Sequence, residues 1–336
     1  MAEAPLLSVK DLVVEFPTRR GLVLRAVDGV SFELRQGEVL GLVGESGAGK
    51  SITGAAVIGL LEPPGRIAGG EVRLKGERID QLDRGAMRRV RGGRIGMVFQ
   101  DPLTSLNPLY TVGQQLVETI QTHLPLSPAQ ARQRAVDLLV EVGIPAAERR
   151  IDSYPHEFSG GMRQRVIIAL ALAAEPELVI ADEPTTALDV SVQAQVIAVL
   201  KRLCREKNMA IILITHDMGV IAELAHRVAV MYAGRIVEIG PARDVVKAPR
   251  HPYTRGLMGS IPDPAAEADR LTQIPGAMPR LNAIPSGCAF NPRCASVLDR
   301  CRRERPSARV VGSSEVACWL DDEQLRRSDL QAVVAR

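Results

Sequence analysis

The run Gly44-Glu45-Ser46-Gly47-Ala48-Gly49-Lys50-Ser51 has the spacing of an anion cradle. Its glycines let successive backbone N–H groups turn inward around a phosphate, and a helix starting behind them adds its dipole. In such a loop Lys50 neutralises β- and γ-phosphates and the Ser51 hydroxyl ligates Mg²⁺. Phosphoryl chemistry also needs an acid nearby. Leu178-Val-Ile-Ala-Asp182-Glu183 supplies two at the end of an apolar run, Asp182 for the Mg²⁺ shell and Glu183 to polarise a water. A second constellation lies far downstream, where Cys288, Cys294, Cys301 and Cys318 gather while Cys204 stands alone. Four thiolates suffice for a tetrahedral zinc or an iron–sulfur cluster, although their spacing matches neither the paired zinc pattern nor the common ferredoxin one. In a reducing compartment they point to metal ligation before disulfides.

These groups need a frame. Glu38–Val43 is a short apolar run that enters the glycine loop, and a helical pattern follows from Ser51 to Leu61, giving strand, loop and helix. Leu178–Ala181 and Ala210–Ile214 are apolar strands, each preceded by a helical pattern, which predicts an α/β fold with a buried, mainly parallel sheet. Leu7–Phe16 and Ala26–Leu34 alternate and predict an N-terminal antiparallel β patch. Residues from Pro102 to Ile151 are mostly helical in pattern, and 115–142 form a small all-helical insertion. Past Gly240 prolines recur, so 241–336 is expected to be a separate, loop-rich unit organised around its cysteines. Asp321–Arg336 is a charged surface helix or a frayed end.

Composition limits the function classes. With 336 residues, 46% hydrophobic and 24% charged, the chain has apolar surface for more than one compact unit, which excludes disorder as its main state. The 42 basic and 39 acidic side chains leave a formal charge of +3, too balanced for a dedicated nucleic-acid binder. The longest apolar run, Val166–Ala174, falls well short of the ~20 residues that cross a hydrocarbon core. The first ten residues lack a basic region followed by an apolar core, so a cytosolic location is expected.

Between the two phosphate motifs, Phe158-Ser159-Gly160-Gly161-Met162-Arg163-Gln164-Arg165 opens an apolar helix and resembles the signature of ABC-type ATPases, usually L-S-G-G-Q. It departs at Phe158 and Met162 and keeps Ser159 and both glycine amides. Gln100, after Ile95-Gly-Met-Val-Phe99, resembles that family's Q-loop glutamine. Ala187-Leu188-Asp189 resembles its D-loop, and His216 its switch histidine; Phe16 is placed like the aromatic that stacks on adenine. The resemblance implies a P-loop NTPase core over 1–240 with a helical and signature subdomain at about 102–160. It implies that ATP is held by Phe16, Gly44, Ser46, Gly47, Ala48, Gly49, Lys50 and Ser51, and Mg²⁺ by Ser51, Gln100 and Asp182. Glu183 is then the catalytic base or water-positioning group, His216 the γ-phosphate sensor, and Gln100 the link to the helical insertion. Ser159, Gly160 and Gly161 grip the nucleotide of a partner chain, so two chains close head to tail around two nucleotides.

The C-terminal third narrows the resemblance. His251-Pro-Tyr-Thr254 through Ser260-Ile-Pro262, and Ile284-Pro-Ser-Gly-Cys288-Ala-Phe-Asn-Pro-Arg-Cys294, resemble the tail of ATP-binding subunits of bacterial oligopeptide/dipeptide importers, as does Gln100–Pro108. This implies an ATPase powering uptake of di- or oligopeptides with two permease chains, an extracytoplasmic solute-binding protein and a second homologous ATPase as heterodimer, at the cytoplasmic face of the inner membrane. Similar subunits serve importers of nickel complexes, glutathione, oligosaccharides and opines, and a chain that binds ATP with little hydrolysis of its own is the other reading. For Cys288, Cys294, Cys301 and Cys318 the resemblance implies a 4Fe-4S cluster, with Zn²⁺ as the alternative, stapling a tail that has little periodic apolar content.

Overall fold

In the computed structural model, which describes residues 4–19, 21–186, 188–260 and 273–320, the chain opens with two strands, β1 (Leu7–Pro17) and β2 (Val23–Leu34), paired antiparallel. Their alternation buries Leu7, Val9, Leu12 and Val14 of one and Val27, Val30, Phe32 and Leu34 of the other. Next come β3 (Val39–Val43), the glycine loop and α1 (Lys50–Val57), then β4 (Arg66–Leu74), β5 (Glu77–Arg78), α2 (Arg84–Val90) and β6 (Ile95–Val98). The helical block follows as α3 (Pro102–Ser105), α4 (Val112–His123), α5 (Pro128–Glu141), α6 (Ala147–Arg150) and α7 (Gly160–Leu172). The core resumes with β7 (Leu178–Asp182), α8 (Val190–Lys207), β8 (Ala210–Ile214), α9 (Met218–Leu224), β9 (Arg227–Tyr232) and β10 (Arg235–Pro241). It ends with α10 (Ala242–Lys247), α11 (Pro252–Gly259), α12 (Asp299–Arg303), β11 (Arg309–Val311) and β12 (Ser314–Val316).

Two sheets result. The smaller has the order β2-β1-β4-β5 and is antiparallel; the larger has the order β11-β12-β10-β9-β3-β8-β7-β6, parallel from β9 to β6. Central strands β3, β7 and β8 are buried along their whole length, as a sheet covered on both faces requires. Alternation divides their side chains. Val39, Val43, Val179, Ala181, Ile211 and Leu213 join the core beneath the helical block, while Leu40, Leu42, Leu178, Ile180, Ile212 and Ile214 join the core against the small sheet.

Local chemistry sets the helix limits. α4 begins at a Thr111–Gln114 capping box and α5 at a Ser127–Gln130 box with Pro128 as its first residue, so the helical stretch expected over 115–142 is two helices. α1 stops at Val57, short of the expected Leu61. Gly59, at φ +63°, donates its N–H to Ala56 while Leu60 donates to Ala55, a glycine C-cap that closes the helix early.

The expectation of a separate C-terminal unit needs correction. β12 pairs with β10 through Glu238–Val316 and Ile239–Glu315, so this region adds two strands to the core sheet. The prolines prevent long elements but leave room for three-residue strands. Tyr253 and Phe290 are buried in the main core against Tyr232, with ring centroids 4.7 Å (Tyr232–Tyr253), 5.2 Å (Tyr232–Phe290) and 5.4 Å (Tyr253–Phe290) apart. The charged stretch Asp321–Arg336 lies outside the described residues. Because this aromatic triad ties tail to core, Phe290→Ala should destabilise the whole chain by ~3–5 kcal/mol. Denaturant unfolding followed by ATP-site and tail probes should show one transition moving; a tail transition that shifts alone would contradict this docking.

Candidate active site

β3 carries the chain into the glycine loop at the carboxyl end of the sheet, where α1 begins at Lys50. Gly49 sits at φ +102°, and a Cβ there would come within 2.8 Å of the Ala26 carbonyl oxygen. The loop can therefore lie this close to β2 only with glycine at this point. Lys50 is buried and donates from Nζ to the carbonyls of Gly44 at 2.8 Å and Glu45 at 3.1 Å. Burial pulls its pKa below the ordinary lysine value, opposed by Glu183, Asp182 and Glu45.

The Ser51 hydroxyl donates to Asp182 Oδ1 at 3.0 Å, which brings together the two oxygen ligands expected for Mg²⁺. Asp182 ends β7; burial raises its carboxyl pKa, the Ser51 hydrogen bond lowers it, and Glu183 raises it further. Glu183 follows at φ +47°, a left-handed conformation that costs a non-glycine residue energy, and its N–H donates to the Ile214 carbonyl at 2.8 Å. That turn aims the side chain at three partners. Gln100 Nε2 donates to Oε2 at 3.0 Å, Thr186 Oγ1 donates to Oε2 at 2.9 Å, and His216 Nδ1 lies 3.3 Å from Oε1. Gln100, Asp182, Glu183, His216, Lys50 and Ser51 therefore form one site. Thr186 is absent from the sequence reading; Glu183-Pro-Thr-Thr186 shows a hydroxyl three residues on, but only the strained turn brings it back onto the carboxylate.

The signature residues lie elsewhere. Ser159 caps α7, its Oγ accepting the Met162 N–H at 3.4 Å, and a Cβ on Gly161 would lie 2.2 Å from Val192 at the start of α8. Asp189 caps α8 and Gln193 Nε2 donates to Asp217 Oδ2 at 2.6 Å, tying α8 to the residue after His216. Ala187 lies outside the described residues. The half-buried Phe16 ring rests on Gly65, where a Cβ would fall 2.6 Å from it.

Cys288, Cys294, Cys301 and Cys318 line one pocket around a void of about 10 Å³, room for one water-sized sphere, and none is in a disulfide. Burial first, with mutual repulsion among the sulfurs, pushes Cys288 and Cys294 up to about 11. The expected metal- or cluster-binding domain is not met as such: among the described residues no three His, Cys, Asp or Glu side chains stand as a metal-binding group. The sulfurs converge without ligand geometry. Cys204 is on the buried face of α8, and its Sγ donates to the Met209 carbonyl at 3.0 Å.

Known proteins resemble the chain over most of its length. The ABC transporter family model matches residues 27–186, and that of the oligopeptide/dipeptide transporter C-terminal region matches 237–301. The dipeptide transport ATP-binding protein DppD of Escherichia coli K12 is 48% identical over 306 residues, covering 91% of this chain and 93% of that protein. DppD of Bacillus subtilis 168 is 46% identical over 327 residues, 97% of each. Among solved structures, the dimeric ATP-binding cassette MJ0796 in a post-hydrolysis state with ADP and Pi superposes with a TM-score of 0.64 at 27% identity, over 70% of this chain and 99% of that one.

Gly49→Ala should leave a folded chain by circular dichroism but weaken MgATP binding about tenfold or more, since displacing the loop by about 1.4 kcal/mol already costs that much. Wild-type affinity in the variant would contradict the close approach to Ala26.

Proposed function

We propose a mechanism from this premise: the chain belongs to the ABC transporter family, as the ATP-hydrolysing subunit of a peptide importer. The backbone of residues 44–51 wraps the ATP phosphates, and Lys50 leaves its loop carbonyls to neutralise them. Ser51 and Asp182, with Gln100, would hold Mg²⁺; when bound, that ion supplies charge that offsets the β- and γ-oxygens. Glu183 orients a water and takes its proton as the water oxygen bonds to the γ-phosphorus and the bond to the β–γ bridging oxygen breaks. ADP and inorganic phosphate leave. His216 contacts the γ-phosphate, and Phe16 is the candidate platform for adenine. The observation that carries this reading is the meeting of Gln100, Thr186 and His216 on one carboxylate beside the Ser51–Asp182 pair.

Ser159, Gly160 and Gly161 present amides at the start of α7 and would grip the nucleotide of a second, homologous ATPase chain, giving a heterodimer with two composite sites. Phe99, Leu109 and Tyr110 are exposed beside Gln100 and at the edge of the helical block, apolar surface suited to a short cytoplasmic helix of a permease. No described helix is long and apolar enough to cross a membrane. The likeness to dipeptide importer ATPases supports two permease chains as the pore, fed by an extracytoplasmic solute-binding protein. The subunit then sits peripherally at the cytoplasmic face of the inner membrane. In the assembled transporter Glu183→Gln should keep MgATP binding and cut turnover by ~10²- to 10⁴-fold; normal hydrolysis by that variant would remove Glu183 from the reaction.

The four C-terminal thiols are proposed to hold a 4Fe-4S cluster. All four cysteines line one pocket, and that convergence is what supports a shared group. A cluster would need the sulfurs to part beyond their present void, and its contribution would be to cross-link the tail. Metal and sulfide analysis of anaerobically purified chain should find iron with acid-labile sulfide, lost in Cys294→Ser. Zinc without sulfide would put the alternative in its place, and thiols carrying no metal would remove both.

A further inference from the structure

The C-terminal region reaches the phosphate loop at Glu45, the second residue of the glycine run. Arg293 grips its carboxylate with both terminal nitrogens, Nη1 to Oε2 at 2.9 Å and Nη2 to Oε1 at 3.0 Å, from a side chain only 7% exposed. The guanidinium is itself fixed. Its Nε donates to the Pro275 carbonyl at 2.8 Å, and its carbon lies 5.8 Å from the centre of the Tyr232 ring. The Glu45 N–H donates to the hydroxyl of buried Tyr253 at 2.9 Å, and the Glu45 carbonyl accepts from Lys50. One loop residue is thus held at its N–H, its carbonyl and its carboxylate, and two of the three holds come from beyond residue 250.

Nothing in the geometry of a phosphate loop requires an acid at this position, where the pattern accepts any residue. An acid there is a hazard. A free carboxylate beside the loop would repel the phosphates and offer Lys50 a competing partner. We propose that Arg293 is a positioning residue of the nucleotide site: by occupying the Glu45 carboxylate it keeps that side chain from pairing with Lys50 and from turning toward the phosphates. The inference rests on the reading that residues 44–51 hold ATP. Arg293 does not touch the nucleotide; it acts through Glu45.

The test is equilibrium binding of a fluorescent ATP analogue with Mg²⁺ to the full chain, with melting temperature recorded in parallel. Arg293→Ala should bind about tenfold more weakly, the order expected for loss of a charge-assisted bidentate pair. Adding Glu45→Gln to Arg293→Ala should restore affinity to within about threefold of wild type, because the liberated charge is gone. A double variant as weak as the single one means that Arg293 supports the tail rather than restraining Glu45, and overturns the proposal; so does unchanged binding by Arg293→Ala. If Arg293→Ala does not fold, Arg293→Gln with and without Glu45→Gln is judged by the same two outcomes. Lys50→Ala separates the two readings. Wild-type binding in that variant would remove the phosphate-loop assignment itself, whereas loss of binding there with indifferent Arg293 variants removes only the role of Arg293.

Discussion

A phosphate loop needs massed backbone donors that few side chains may crowd, and this requirement fixes how closely the loop must pack against its neighbouring strands. β3 lies between β8 and β9, wholly apolar, and ends where the loop must turn. A Cβ on Gly44 would meet the Met231 carbonyl oxygen at 2.3 Å, so the loop is wedged against β9 at one end and against Ala26 of β2 at the other. Once that loop is fixed, the remaining chemistry falls to neighbouring strand ends. Asp182 ends β7, Glu183 follows it, and His216 comes shortly after β8, all at the carboxyl edge where open α/β sheets place their ligands.

Much of this was legible because it is local. The glycine spacing, the apolar runs of β3, β7 and β8, and the alternation of β1 and β2 each carry their meaning within a dozen residues. What escaped depends on contacts between distant parts of the chain or on unusual backbone. Thr186 matters only because Glu183 adopts a positive φ. The β9–β10 hairpin turns on Ala233 and Gly234, both at positive φ, and alanine hides the turn that asparagine would have announced. β11 and β12 are three residues each, too short for a period to show. Arg293 and Glu45 are separated by 248 positions, and neither residue type signals the other. The cysteines were visible as a group, but their spacing says nothing of how far apart the sulfurs stand.

The signature segment illustrates a different limit. A serine before two glycines is readable as a helix cap, and Ser159 does cap α7. Which way that capped end faces is set by packing. Gly161 lies against Val192, α8 carries Gln193 to Asp217, and Asp217 caps α9 directly after His216. The start of α7, the start of α8 and the turn after β8 are therefore one contiguous body, while the phosphate loop is anchored through β2, β9 and the C-terminal region. The two sets of braces meet at His216, which stands against Glu183 in the phosphate site.

The tail is attached through polar as well as apolar contacts, and the two contribute differently. Glu238 is fully buried and accepts the backbone N–H groups of Arg250 and His251; burial raises its pKa and those hydrogen bonds pull it back down. Arg293 and Glu45 form a second junction that is mostly removed from water. Pairs of this kind recover their desolvation cost with little net gain, so hydrophobic contacts such as the Tyr232–Tyr253–Phe290 triad must supply most of the docking energy. Apolar packing alone would tolerate a range of small displacements of the tail. A bidentate guanidinium–carboxylate pair tolerates few, because both N–H···O bonds must align. The expensive polar contacts therefore convert an adhesive surface into a fixed position, and one of the two positions so fixed is the backbone that surrounds the phosphates.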